Sequence, residues 1–160
     1  MPRSGRGVPI TTREKNASLL KELDDFLSTM PVAELATKLA ENSALKAGAV
    51  RVMLDTYANE SRLTVALIQH HVHPDMRILE VGAGLCLTSL LLKQQGYHIT
   101  SLEPATGGFE LFAQIKQTIL EHYSHIELTV LDKTAQQLSI NTDGCFDFVF
   151  SNNVMEHIPG

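Results

Sequence analysis

Arg77-Ile78-Leu79-Glu80-Val81-Gly82-Ala83-Gly84-Leu85-Cys86 is the stretch on which the fold turns. A short apolar strand, Arg77 to Val81, runs into a glycine-rich turn. Leu87, Leu90 and Leu91 then share one face of a helix that ends at Gly96. Such a turn between strand and helix lets the backbone approach a ligand closely. The pattern repeats downstream. Tyr97 to Leu102 reads as a second strand, ending at Glu103-Pro104. Phe109, Phe112, Lys116, Ile119, Leu120 and Tyr123 mark a second helix, with Lys116 at the edge of its apolar stripe. Ile126 to Leu131 reads as a third strand. Phe146 to Phe150 reads as a fourth, bounded by Asp143-Gly144 and Ser151-Asn152-Asn153. This alternation predicts an α/β fold with a parallel sheet sandwiched by helices. Right-handed crossovers then place ligand sites at the carboxyl ends of the strands.

Upstream the pattern is helical. Residues 1–12 read as a loose tail and residues 13–73 as a helical extension. Leu19, Leu20, Leu23, Phe26, Leu27 and Met30 fall at helix spacing. Pro31 can open a second helix, where its missing N–H costs little; Val32, Leu35, Ala36 and Leu39 mark its buried face. Leu45, Ala49, Val52 and Met53 predict a third helix. Leu63, Ala66, Leu67 and His70 predict a fourth, stopped near Pro74. The region either packs on the next domain or forms a lid over a pocket, since ligand sites favour such junctions. His70, His71 and His73 sit at a helix end and read as surface residues.

The 160-residue chain is 44% hydrophobic and 19% charged, which excludes a disordered or fibrous chain and suits one domain. No apolar run is long enough to span a bilayer, and the N-terminus lacks the apolar core of a secretory signal. Cys86 and Cys145 stand far apart without metal-ligand spacing. The cytoplasm is the simplest compartment. Residues 1–75 balance nine basic against nine acidic residues; residues 76–160 hold four against nine and carry the whole net charge of −5. There is no basic patch for nucleic acid. A small neutral or cationic substrate remains open.

Two readings of the glycine turn compete. The nicotinamide fingerprint, Gly-x-Gly-x-x-Gly, would need glycine where Leu87 stands, although Glu103 follows Gly84 by nineteen residues as that fingerprint requires. The other reading rests on three motifs in order. These are Glu80-x-Gly82-x-Gly84, Glu103 closing the second strand, and Phe146-Asp147-Phe148-Val149-Phe150-Ser151-Asn152-Asn153-Val154-Met155-Glu156-His157-Ile158. Together they resemble a class I S-adenosylmethionine-dependent methyltransferase of the small-molecule type, over residues 76–160.

The resemblance implies a Rossmann-like domain that continues past the fourth strand, so the chain reads as its N-terminal portion, incomplete at the C-terminus. It implies S-adenosylmethionine as cofactor and a small-molecule methyl acceptor as partner; the charge balance and the short apolar runs add the expectation of neither nucleic acid nor membrane. It assigns Glu80 to the methionine ammonium end, directly or through the loop. Gly82, Ala83 and Gly84 would lie against the ribose and amino-acid portion. Glu103, followed by Pro104, would accept the ribose hydroxyls, which a carboxylate can do bidentately. Ser151 and Asn152 would border the methionine part.

Several positions depart from the family pattern. The third glycine of the loop is Cys86, a small residue that the loop tolerates provided the site needs negative φ. Thr134-Ala135 stands where the family has Asp-Ala, so Thr134 takes the adenine contact, with Asp132 as a substitute only if the loop shifts. A Glu-Glu-His metal arrangement would need an acid at Asn153, so no metal is expected. His157 is a weak candidate for a general base and more simply ties the strand-to-helix turn together. The fourth strand, apolar on both faces, leaves an open edge that invites self-association or a partner chain. A non-catalytic methyltransferase-like interaction module, and a nicotinamide-binding oxidoreductase fragment, are the alternatives.

Overall fold

The computed structural model describes residues 12–42, 47–104 and 110–152. Four strands, β1 (Arg77–Val81), β2 (His98–Leu102), β3 (Thr129–Leu131) and β4 (Phe148–Ser151), pair in parallel in the order β3-β2-β1-β4. In the register of the sheet Val81 lies level with Leu102 and with Ser151. The chain therefore leaves three adjacent strands at one height, and Gly82, Glu103 and Asn152 emerge together at the carboxyl end.

Helix α4 (Leu87–Gln94) connects β1 to β2, and α5 (Glu110–His122) lies between β2 and β3. Both connections step the same way across the sheet, so right-handed crossovers put these helices on one face. The step from β3 to β4 runs in the opposite direction. It carries a 3-10 turn, Ala135–Gln137, and the short helix α6 (Ile140–Asp143) over the other face. The result is the parallel α/β sheet, with helices on both sides, that the residue pattern predicts.

Three strands are shorter than the apolar runs suggest, β2 by one residue since it begins at His98 and not Tyr97. Ile126 closes a 3-10 turn and Glu127 adopts φ 50°, so β3 begins only at Thr129. Asp147 ties the start of β4 to β1: its N–H donates to the Arg77 carbonyl at 2.8 Å and its carboxylate accepts from the Arg77 N–H at 2.8 Å. Gly144 turns the chain before it at φ 80°, where a Cβ would run into the Arg77 guanidinium.

Among the described residues the N-terminal region forms three helices rather than the expected four: α1 (Thr12–Thr29), α2 (Val32–Asn42) and α3 (Ala47–Ile68). The predicted third and fourth helices are one, because no glycine or proline interrupts residues 49–68. Its buried face is also rotated from the expected one. Val50, Leu54, Ser61, Thr64, Val65 and Ile68 are buried, while Val52, Leu63 and Leu67 are 67%, 53% and 60% exposed. Small hydroxyl residues at Ser61 and Thr64 replace the apolar residues that a pattern search follows; each donates to the carbonyl four residues back. On α1 the expected face holds, with Leu19, Leu23 and Phe26 buried and Met30 buried just past its end, and on α2 Leu35, Ala36 and Leu39 are buried as expected.

One hydrophobic cluster runs from Leu19 on α1 through Val50 and Leu54 on α3 and Leu90 and Leu91 on α4 to Phe150 on β4. Helices α1 and α3 pack on α4, and α2 packs on α5. Each large apolar side chain so buried contributes about 1.5–3 kcal/mol. The helical layer thus shares its core with the sheet. None of the described helices is long and apolar enough to cross a membrane.

Candidate functional site

The site is built where β1 gives way to α4. Gly82 takes φ 72° and Gly84 φ 55°, left-handed values that favour glycine. The Gly82 and Ala83 N–H groups donate to the Leu102 carbonyl at 2.8 and 3.3 Å. The Gly84 N–H donates to Glu103 Oε2 at 2.9 Å. Glu103 is thereby fastened to the loop, while its own N–H donates to the Leu131 carbonyl at 3.1 Å. A carboxylate offers about four lone-pair positions, and Gly84 uses one. Burial pushes the Glu103 carboxyl above its ordinary pKa, an effect opposed by the Gly84 N–H and by Lys116.

Lys116 is not at the edge of its helix stripe, as the sequence suggested, but buried. Its ammonium donates to the Glu103 carbonyl at 3.5 Å. It brings positive charge beneath a site whose other titratable members, Glu80 and Glu103, are acidic. A lysine beside Ile115 and Ile119 looks like a snorkelling surface residue in sequence; only the packing of α5 shows otherwise.

Glu80 is also buried. Its carboxyl accepts from the Ser89 hydroxyl of α4. Desolvation dominates its titration and pushes its pKa up to about 8, with the Glu103 charge adding to the rise and the Ser89 bond opposing it. The side chain pins the glycine loop to the helix that follows it.

Cys86 caps that helix at φ 61°, fully buried. The condition of negative φ, on which tolerance of a cysteine here was expected to depend, is not met. The loop keeps the glycine-type backbone even though the residue carries a Cβ, a conformation that costs roughly 1–2 kcal/mol. Burial, first, and the Glu80 carboxyl push the thiol up to about 12, so it is not a nucleophile at neutral pH.

Thr134 and Ala135 lie after β3 and are exposed. The Thr134 N–H donates to Gln137 Oε1 at 2.7 Å, its hydroxyl lies 3.3 Å from the same oxygen, and the Gln137 N–H donates to the Thr134 carbonyl at 3.0 Å. Thr134 thus caps its own 3-10 turn. Ser151 is exposed at the end of β4. The Asn152 side-chain amide donates to the Thr64 hydroxyl of α3 at 2.9 Å. Pro104 follows Glu103 and is half-buried. His157 and Asn153 lie outside the described residues, as does the strand-to-helix turn assigned to them. Among the described residues no three His, Cys, Asp or Glu side chains are placed to hold a metal ion.

The sequence motifs did not reveal Tyr57. Its half-buried ring packs on Phe112, centroids 5.4 Å apart, and borders Gly84 so closely that a Cβ there would stand 3.0 Å from Tyr57 Cε1. Burial, then Glu60 and Glu103, raises the phenol's pKa. The residue belongs to a helix with no motif, and nothing in its neighbourhood along the chain points to the loop.

A glycine loop after the first strand, a carboxylate closing the second, and a strand order that reverses direction at the first place this candidate site at the topological switch point of a parallel α/β sheet, where ligands of such folds bind. The comparisons sharpen this class. Residues 79–160 match the family described as methyltransferase domain. The chain belongs to that family, the class I S-adenosylmethionine-dependent type. Two proteins of Mycobacterium tuberculosis are similar: uncharacterized protein MT1557 of strain CDC 1551 / Oshkosh and uncharacterized protein Rv1509 of strain ATCC 25618 / H37Rv. Each is 40% identical over 81 residues. The match covers 51% of this chain and 27% of each relative's length. No solved structure matches the chain.

Proposed function

We propose that the chain carries the cofactor-binding portion of an S-adenosylmethionine-dependent methyltransferase acting on a small molecule. The bond from the Gly84 N–H to Glu103 carries this reading. It holds a carboxylate acceptor against a loop whose glycines keep the backbone bare, which fits the ribose hydroxyls of an adenosyl group. When bound, the cofactor supplies an activated methyl group on a sulfonium. The chain's own residues hold and orient. Glu103 accepts hydroxyls, the Gly82–Gly84 backbone packs closely, and Glu80 with Ser89 keeps the loop in place. Ser151 and Asn152 stand at the same strand-end height and are assigned to the amino-acid end. Thr134 and Ala135 are assigned to the adenine end. The acidic balance of residues 76–160 supports a neutral or cationic acceptor over a nucleic acid. The unpaired thiols Cys86 and Cys145 suit the cytoplasm.

Titration of S-adenosylhomocysteine into the 160-residue chain by calorimetry tests the reading. Saturable binding is expected, with no heat from a nicotinamide dinucleotide. A demonstrably folded chain that binds no adenosine cofactor would defeat it.

One set of observations favours a second reading, a methyltransferase-like module without catalysis. Cys86 stands in a left-handed position suited to glycine, and the side chains of Thr134 and Asn152 are already bonded within the chain. β4 has a hydrogen-bonded neighbour on one side only among the described residues, and Val149 on it is 55% exposed. A stable complex through this edge, without cofactor binding, would decide for the module.

A further inference from the structure

We infer that Tyr57 of helix α3 is a cofactor-binding residue, the aromatic wall of the site facing the glycine loop. The inference rests on the cofactor reading above and extends it to a helix outside the matched family region, which begins at residue 79.

The geometry has three parts. First, the ring lies against Gly84, the residue whose N–H holds Glu103. Bare backbone, carboxylate and aromatic ring therefore meet at one point of the strand ends. Second, Tyr57 packs against the edge of the core without being enclosed by it. It stands on the buried stripe of α3, between Leu54 and Ser61, yet stays half-buried where that stripe meets the glycine loop, and its partner Phe112 is half-buried too. An aromatic pair left partly open beside a carboxylate offers a π-face to a planar base or a cation and an acceptor to hydroxyls. An adenosyl sulfonium carries all three. Third, α3 is seated across the site at two places. Seven residues after Tyr57, about 10 Å along the helix, Thr64 accepts from Asn152 at the end of β4. The helix thus runs from the β1 loop to the end of β4 and keeps the Tyr57 ring at a fixed height above them.

The chain has three tyrosines, and only Tyr57 is at this end. Tyr97 immediately precedes β2, at the opposite end of the sheet, and Tyr123 follows α5 and packs on Phe26 with centroids 5.0 Å apart. This distribution makes a direct test possible. The full chain labelled with 3-fluorotyrosine gives a 19F resonance for each tyrosine, and Tyr57→Phe identifies that of Tyr57. S-adenosylmethionine is titrated, with calorimetry in parallel. The expected result is a saturable shift of the Tyr57 line at the calorimetric Kd, with the Tyr97 and Tyr123 lines fixed. Tyr57→Leu, with its fold checked by circular dichroism, is expected to weaken binding about fivefold, the scale of one aromatic contact. Binding with an unmoved Tyr57 line, or a folded Tyr57→Leu chain with unchanged affinity, overturns the assignment and leaves the cofactor reading standing. Absence of binding to the folded wild-type chain overturns both. The 19F measurement decides the matter even if Tyr57→Leu does not fold.

Discussion

The Glu103 carboxylate accepts the Gly84 N–H at 2.9 Å and so locks the end of β2 to the loop after β1. A hydrogen bond to a charged group contributes about 1.5–3 kcal/mol. The same carboxylate is the proposed acceptor for ribose hydroxyls, so Glu103→Ala should weaken S-adenosylhomocysteine binding at least tenfold while the chain stays folded. Calorimetry on wild type and variant checks this; equal affinities would remove Glu103 from the site.

Affinity should also fall with acidity. Burial raises the Glu103 pKa above 4.5, and only the ionised form can accept both hydroxyls. Binding should therefore weaken as pH falls, with the midpoint displaced upward from 4.5. Gly84 N–H, Lys116, Glu80 and Tyr57 face this group from the loop, α5, β1 and α3. Glu103→Gln should flatten the profile, whereas a profile unchanged in that variant would point to Glu80, which titrates near 8.

Glu80 makes a prediction about stability. Its pKa rises on folding from about 4.5 to about 8, so the native state holds a proton that the unfolded chain releases. The stability from this group is complete below pH 4.5 and is lost as pH rises to 8. Glu80→Gln keeps an acceptor for Ser89 without the charge. Urea denaturation should show the wild type losing stability relative to Glu80→Gln between pH 5 and 8, never gaining it.

Cys86 sits at φ 61°. Cys86→Gly should alter stability by no more than about 1 kcal/mol, because relief of backbone strain offsets the lost side-chain contacts. Cys86→Val should cost more than about 2 kcal/mol, since a branched Cβ is far less tolerant of this conformation. Urea midpoints of the two variants in the reverse order would contradict the left-handed cap.

The Asn152–Thr64 bond joins the end of β4 to α3. In a double-mutant cycle, Thr64→Val and Asn152→Ala should show a coupling of roughly 0.5–1.5 kcal/mol. Additive effects in that cycle would mean that α3 is not held there.

We propose that the chain self-associates through the edge of β4, with the exposed Val149 in the contact. Sedimentation should give a mass above 17.6 kDa at high concentration, and Val149→Lys should lower it. A wild-type monomer at every concentration would refute the interface.

Much of the architecture is local and so is legible in the residues. Strand runs such as Ile78–Val81 and the glycines at 82 and 84 declare a β-loop-α unit because backbone propensity and side-chain period act over a few residues. The site acid Glu103 is legible for the same reason: it closes a strand at a fixed distance from the loop. On helix α3 the apolar pattern follows the wrong face, because Ser61 and Thr64 are buried hydroxyls satisfied by their own helix carbonyls while Leu63 and Leu67 lie outside. What faces the loop was decided by packing alone. Lys116 under Glu103, Ser89 on Glu80, Tyr57 over Gly84 and Thr64 on Asn152 join residues separated by 9 to 88 positions. Burial, not sequence neighbourhood, sets those contacts, because each depends on where a whole helix settles against the sheet.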